Sequence, residues 1–237
     1  MRLDRRLSES GLGSRKEVKV LIKKGQVMVN ETIVKDVGRN VQDTDVVNVA
    51  GTIVGYQPFQ YYLLNKPAGY LTATKDSRAQ TIMDLVPIDL PHYRDLAPVG
   101  RLDRDTTGLL LLTNDGQLAH RLLAPKYHVT KTYRALVSGL VADELVAILA
   151  KGVKLSDFTT QPAQLKIIQR DVKQQQTQVE LTITEGKYHQ VKRMLLAFDH
   201  EVLQLERVAF GPLRLTDLPQ GQFHELTESE LAALRRI

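Results

Sequence analysis

The chain has 237 residues, of which 43% are hydrophobic, six are histidine and none is cysteine, and its net charge is +5. This length permits one or two domains, the missing cysteines exclude disulfides and thiolate chemistry, and the histidines show no spacing typical of metal ligands. No apolar run approaches the roughly 18 residues that a bilayer crossing needs. We therefore expect a soluble, cytoplasmic protein without a bound metal.

The first predicted element is a short amphipathic helix with a cationic face. Ser14 and Glu17 have capping-box spacing, apolar residues recur at helical intervals after them, and Gly25 supplies a stop. Residues 1–40 contain ten lysines and arginines against five acids, which accounts for the whole net charge. Such a confined excess is typical of a module that binds a polyanion, although a solvated basic face is the plainer alternative. The cations of the helix are Arg15, Lys16, Lys19, Lys23 and Lys24.

Strand-like segments follow the helix at residues 27–30, 32–34 and 45–49. Asn30 and Glu31 form the predicted turn between the first two. Because Glu31 occupies a position where a tight hairpin favours glycine, a looser loop is the alternative. Residues 51–58, interrupted by Gly55 and Pro58, are interpreted as a linker.

The rest of the chain, from about Phe59, mixes strand and helix patterns. Strand-like segments occupy residues 61–65, 109–112 and 178–184, and helical periodicity occurs at 117–123, 142–150 and 190–198. Several strands with few interspersed helices predict an α+β fold with a largely antiparallel sheet.

The segment Gly100–Gly116 is the richest in groups that can carry chemistry. It contains two carboxylates, Asp103 and Asp105, in a polar loop that leads into the buried run 109–112. Aspartate and threonine often close turns, so composition alone favours a structural role. Nothing in the spacing prefers Asp103 to Asp105.

Short strings in the first 50 or so residues resemble a known RNA-binding module. The strings are Arg2-Leu-Asp-Arg-Arg-Leu, Gly13-Ser-Arg, Ile22-Lys-Lys-Gly-Gln-Val and Val29-Asn. They look like the S-four-type (alpha-L) RNA-binding domain of a small-subunit ribosomal protein. The resemblance implies that the basic helix and the following loop lie against structured RNA.

Four longer strings resemble one enzyme family in the same order along the chain. They are Leu64-Asn-Lys-Pro-Ala-Gly69, Gly100-Arg-Leu-Asp-Arg-Asp-Thr-Thr-Gly-Leu109, Lys131-Thr-Tyr133 and Glu185-Gly-Lys-Tyr-His-Gln-Val-Lys-Arg-Met194. They are similar to the small-subunit ribosomal RNA pseudouridine synthase family (RsuA-like). The resemblance implies an RNA-binding domain over residues 1–55, a linker over 56–60 and a catalytic domain over 61–237 with a mixed, largely antiparallel sheet.

The resemblance also implies an activity and its partners. A monomeric enzyme would isomerise one uridine of ribosomal RNA to pseudouridine, on free RNA or on a pre-ribosomal particle, without cofactor or metal. A uridine 516-type target in 16S RNA is expected, because relatives that act on 23S RNA often carry extra basic tails and this chain ends at Leu-Arg-Arg-Ile237. A 23S target, a catalytically silent ribosome-assembly factor and a hydrolytic glycosylase are the alternatives.

Residue roles carried over from the family fall on matching positions of this sequence. Asp103 becomes the catalytic carboxylate and Tyr133 the ring that lies against the target uracil. Arg193 becomes the cation that pairs with Asp103, with Lys192 as its rival because neighbouring helix positions point about 100° apart. Asp105 then closes the loop. RNA contacts are expected from Arg101, Lys187, Gln190, Lys192 and the cations of the basic helix. Whether Asp103 attacks the ribose, attacks the ring or abstracts a proton is left open.

Overall fold

The computed structural model describes residues 1–237. They form two compact units, the first made of residues 1–60 and 88–94 and the second of residues 61–87 and 95–237. No pattern in the sequence indicates that residues 88–94 group with the first unit. None of the six α-helices combines the length and apolar character that a bilayer crossing requires. Three short 3₁₀ helices complete the helical elements, at Ile82–Leu85, Tyr93–Asp95 and Pro125–Tyr127.

The first unit packs two helices with a small antiparallel sheet of order β2-β1-β3-β4. Its buried core is aliphatic and takes residues from both helices and from β1 and β3. The elements are α1 (Leu3–Glu9), α2 (Arg15–Lys23), β1 (Val27–Val29), β2 (Thr32–Ile33), β3 (Val47–Val49) and β4 (Thr52–Val54).

Most local predictions for this unit are confirmed. The Ser14 hydroxyl accepts from the backbone N–H of Glu17 while the Glu17 carboxylate accepts from the N–H of Ser14, so α2 begins with a full capping box. The looser loop at Asn30 and Glu31 is wrong, because both residues adopt left-handed φ values of 47° and 65° and close a two-residue hairpin. The sequence also missed α1, and β4 lies inside the segment interpreted as a linker.

The second unit contains nine strands and four α-helices. The strands are β5 (Tyr61–Lys66), β6 (Ala97–Pro98), β7 (Thr107–Thr113), β8 (Lys131–Ser138), β9 (Gln164–Asp171), β10 (Gln176–Ile183), β11 (Val202–Phe210), β12 (Leu213–Arg214) and β13 (Phe223–Glu225). The helices are α3 (Gly116–Leu123), α4 (Glu144–Leu149), α5 (Gln190–Leu196) and α6 (Glu228–Arg235).

These strands form one mixed sheet of order β13-β5-β7-β11-β8-β10-β9, with β12 beside β11 and β6 beside β7. Every pairing is antiparallel except the one between β7 and β11. The α+β prediction with a largely antiparallel sheet is therefore confirmed. Both faces of β5 and of most of β7 are buried, which places these strands in the middle of the unit.

Gly108 permits the parallel pairing of β7 with β11. It has a left-handed φ of 102°, and a Cβ at this position would lie 2.3 Å from the backbone oxygen of Arg207 and 2.7 Å from its nitrogen. Both contacts are far inside van der Waals distance and involve main chain, which cannot rotate away. The strands can approach this closely only with glycine at position 108.

Gly108→Ala should lower the free energy of unfolding by about 3 kcal/mol or more, because overpacking and left-handed strain add. Gly116→Ala is the matched control, since Gly116 begins α3 and a methyl group added there would have no atom within 4 Å. The control should stay within about 1 kcal/mol of the parent. Chemical denaturation of the three proteins measures both values, and equal stability of the two variants would contradict this account of the strand junction.

Candidate active site

The second unit contains a cavity of about 780 Å³. Its walls come from the loop at residues 100–106, the start of β8, the loop at 186–189 with the start of α5, and the middle of β11. Three of these segments carry strings that the sequence analysis singled out. The sheet topology, rather than proximity along the chain, brings them together.

A buried lysine fixes the loop that carries Asp103. Lys66, at the end of β5, is fully buried, and its Nζ donates to the carbonyl oxygens of Asp103, Arg104 and Thr106 at 3.2, 3.2 and 2.9 Å. It also donates to the Pro67 carbonyl at 3.1 Å. Burial lowers the pKa of Lys66 to about 8, while the charges of Asp105 and Asp103 act in the opposite direction. The loop is thus held through its main chain, which leaves the Asp103 side chain to face the cavity.

Two basic side chains flank the Asp103 carboxylate. Lys192 Nζ lies 3.8 Å from its Oδ2, and His189 Nε2 lies 3.6 Å from its Oδ1. Lys192 is held more tightly by Asp105, whose two oxygens each accept from Nζ at 2.7 Å. The hydrogen bond from Lys192 lowers the pKa of Asp105. Asp105 therefore positions Lys192 beside Asp103, and its expected role of closing the loop is replaced by this ion pair.

The expected pairing of Arg193 with Asp103 does not occur in the structure. Arg193 points away from the cavity and forms an ion pair with Asp157, with its guanidinium 5.3 Å from the centre of the Phe158 ring. Neighbouring residues of α5 point about 100° apart, so only one of them can reach the loop at 100–106. That residue is Lys192, the rival position.

Tyr133 lines the cavity from β8, directly across from Arg207 on β11. Only 8% of the residue is exposed, so its ring forms part of the wall. Tyr133 and Asp103 are therefore brought to one cavity, as the sequence analysis expected of two catalytic residues.

The residues expected to contact RNA differ in their surroundings. Arg101 and Lys187 are exposed and line the cavity. Gln190 also lines it but is 3% exposed, and its amide accepts from the N–H of Lys187 and donates to Glu185. Gln190 thus organises the loop before α5. On α2, Arg15, Lys16, Lys23 and Lys24 are exposed, and Lys19 lies 3.8 Å from Asp4.

Four basic residues that line the cavity carry no role expected from the sequence. They are Arg104, His189, Lys131 and Arg207. The sequence pattern contains a signal for Lys131 and Arg207. Lys131 and Arg207 each occupy a position in the buried phase of an alternating strand, where a charge is unexpected.

The arrangement suits chemistry on a planar polar ring. The cavity volume falls in the range of small-molecule sites. A carboxylate with adjacent cations can act as a nucleophile or as a base, and an aromatic wall such as Tyr133 offers a stacking surface.

Comparison with known protein families agrees with this geometry. Residues 60–197 match the family described as RNA pseudouridylate synthase, and residues 1–47 match the S4 domain. Relatives extend over essentially the whole chain. An uncharacterized RNA pseudouridine synthase, YtzG, of Bacillus subtilis is 48% identical over 99% of this chain and 98% of its own length.

Two further relatives have names that refer to different ribosomal subunits. Ribosomal large subunit pseudouridine synthase B of Bacillus subtilis is 39% identical, covering 100% of this chain and 96% of the relative. Ribosomal small subunit pseudouridine synthase A of Escherichia coli is 37% identical, covering 99% of this chain and 100% of the relative.

A crystal structure described as pseudouridylate synthase superposes with a TM-score of 0.66 at 34% identity, covering 99% of each chain. The family matches confirm the resemblance that the sequence motifs predicted. With a catalytic family model spanning more than half of its residues and relatives aligned along its full length, the chain belongs to the RNA pseudouridylate synthase family and is an enzyme of that class.

Proposed function

We propose that the protein isomerises a uridine of ribosomal RNA to pseudouridine and that Asp103 is the catalytic carboxylate. The observation that carries the proposal is the position of Asp103 in the cavity, with Lys192 and His189 within 4 Å and Tyr133 in the same wall. The reaction needs neither metal nor redox cofactor. A uridine in folded RNA must be unstacked and flipped to enter, which costs a few kcal/mol.

Each side chain has a stated task in this proposal. Tyr133 offers its ring to the flipped uracil. Lys192, held by Asp105, keeps a positive charge beside the Asp103 carboxylate, and this charge offsets part of the cost of desolvating the carboxylate when substrate binds. Arg101 and Lys187, both exposed, lie where they can contact RNA phosphates.

We propose 16S RNA as the substrate, which accords with the small ribosomal subunit in the name of the Escherichia coli relative. A large-subunit RNA target is the second candidate, because the large-subunit relative from Bacillus subtilis has a comparable 39% identity. Mapping pseudouridines in both ribosomal RNAs, with and without the gene, decides between them. Loss of a 23S site alone would reject the first candidate, and no lost site in either RNA would reject both.

Asp103→Asn should fold and bind RNA but lose at least about 100-fold in the rate of pseudouridine formation, because the charge is removed at nearly constant size. The comparison variant is Asp105→Asn, which removes the ion pair that positions Lys192 but leaves Lys192 and Asp103 in place, so it should lose no more than about tenfold. Single-turnover assays on a substrate RNA, together with thermal melting, measure both effects. An active Asp103→Asn protein would contradict the assignment.

Lys192→Met and Arg193→Met form a matched pair of adjacent substitutions that distinguishes the two candidate partners of Asp103. Lys192→Met should reduce turnover by about 100-fold or more, because the carboxylate loses its nearest lysine. Arg193→Met removes an ion pair with Asp157 and a contact with Phe158, both with residues that do not line the cavity, and should retain near-parent turnover. The reverse order of activities would restore Arg193 as the functional cation.

The exposed cations of α2 should supply part of the RNA affinity through phosphate contacts. Replacing Lys16, Lys23 and Lys24 by glutamine should weaken binding and reduce the slope of log affinity against log salt by about 2 to 3. The control replaces three exposed lysines of the second unit: Lys151, Lys166 and Lys173. Filter binding at several salt concentrations gives the slopes, and identical slopes for both triple variants would show that α2 is not a docking surface.

A further inference from the structure

Two buried cations lie side by side in the cavity wall, apart from Asp103 and the two basic side chains that flank it. Lys131, on β8, is 8% exposed, and Arg207, on the adjacent β11, is 2% exposed. Lys131 Nζ donates to the Val129 carbonyl at 3.0 Å, and Arg207 Nε donates to the Leu109 carbonyl at 2.8 Å. The Phe210 ring lies beneath both, with its centre 5.7 Å from Lys131 Nζ and 5.1 Å from Arg207 Cζ.

Neither cation has an acidic partner. No carboxylate lies within 4.0 Å of either side chain, whereas Lys192, in the same cavity, has two. Glu185 acts on Lys131 only through a longer-range attraction. Burial, reinforced by the positive charge of Arg207, lowers the pKa of Lys131 to about 8, so the ammonium form still predominates at neutral pH.

The pair contains a buried nitrogen atom that is not satisfied within the protein. The Nη2 atom of Arg207 is buried and has no hydrogen-bond partner. An unpaired buried donor on a charged group is costly, and two adjacent buried cations repel each other. The site is therefore incomplete in the protein alone and suits an oxygen atom that carries negative charge.

The deep position of Lys131 and Arg207 in the cavity limits which oxygen atoms of the substrate can reach them. An RNA backbone continues on both sides of a flipped nucleotide, so its phosphates stay near solvent, where the exposed Arg101 and Lys187 lie. Lys131 and Arg207 are almost fully buried, so the base is the part of the nucleotide that can reach them. Uracil offers its two carbonyl oxygens.

We propose that Arg207 and Lys131 form an oxyanion site that binds a carbonyl oxygen of the target uracil and stabilises the uracil anion after it separates from the ribose. This inference rests on the proposed function. When the bond from ribose C1′ to N1 breaks, its electron pair stays on the ring and spreads to the carbonyl oxygens, while C1′ is left as an electron-deficient centre that the ribose ring oxygen stabilises. The bond from C1′ to C5 then forms with ring electrons, N1 gains a proton and C5 loses one. Preorganised cations aimed at the developing charge also hold the detached ring while it turns.

The test compares two small probes with the full-length protein. 5-Nitrouracil is a ring anion at neutral pH, and uracil is a neutral ring of the same frame. Dissociation constants come from ligand-observed NMR titration. The parent protein should bind 5-nitrouracil at least about tenfold more tightly than uracil, the usual advantage of a hydrogen bond to a charged group. Arg207→Met should abolish the preference by weakening 5-nitrouracil binding far more than uracil binding, and Arg207→Lys should restore part of the preference.

Control variants keep the test decisive. Lys131→Met serves as the second probe of the site if Arg207→Met does not fold, and it too should reduce the preference. Lys166→Met removes an exposed cation outside the cavity and should leave the ratio of the two affinities unchanged. Inorganic phosphate should not displace 5-nitrouracil. The proposal would be overturned if phosphate displaced 5-nitrouracil, or if the parent bound both probes equally or showed no detectable 5-nitrouracil binding. It would also be overturned if folded Arg207→Met and Lys131→Met kept the preference unchanged.

The proposed function is tested separately, by pseudouridine formation in ribosomal RNA by the parent protein. A parent that forms pseudouridine but shows no preference for the anionic probe would overturn the oxyanion site alone. If the parent prefers 5-nitrouracil and this preference depends on Arg207, but the parent forms no pseudouridine, the proposed reaction is overturned. The cavity would then contain an anion-binding site that serves another reaction.

Discussion

The Lys66 ammonium group holds together the part of the molecule on which the candidate active site depends. A backbone loop with several free carbonyl oxygens is unstable in a protein interior unless donors satisfy them. A single lysine at the end of β5 supplies hydrogen bonds to three of these carbonyls, and the N–H of Gly69 supplies another to the Arg104 carbonyl. The loop carrying Asp103 is thereby anchored to the sheet by its main chain, so the side chains of Asp103 and Asp105 remain available.

The parallel pairing of β7 with β11 fixes the cavity wall that carries Arg207. Strand β7 leads out of the Asp103 loop, β11 carries Arg207, and the two meet where Gly108 permits contact between main chains. Strand β8 pairs antiparallel with β11 and places Tyr133 across from Arg207. A loop, a helix and two strands from distant parts of the chain thus surround one cavity because the sheet order requires it.

Four lysine and arginine side chains in or directly behind the cavity wall are not exposed, and they differ in how their charge is satisfied. Lys66 donates to carbonyl oxygens, Lys192 pairs with two carboxylates, and Lys131 and Arg207 have no carboxylate within 4.0 Å. Charges that are already paired serve to shape the protein or to tune the carboxylate beside them. A buried pair of cations without a counter-ion carries a free-energy cost of desolvation, and a negatively charged ligand can offset this cost. The paired cations therefore shape the site, whereas the unpaired ones are available to bind the substrate.

The sequence alone determined the class of the protein, because its strongest signals are local. Capping-box spacing predicted α2, strand alternation predicted β10, and the contiguous string around Asp103 indicated the family. The boundaries were less well determined: β4 lies in the segment interpreted as a linker, and α1 carries no strong start signal. Only the tertiary structure decided which cation meets Asp103. Lys192 and Arg193 are equivalent in charge and adjacent in sequence, and the rotation of α5 relative to the Asp103 loop points Lys192 inward and sends Arg193 to Asp157. Strand alternation can indicate that Arg207 is buried, but only the tertiary structure shows that its buried Nη2 atom has no partner, because partners come from strands distant in the sequence.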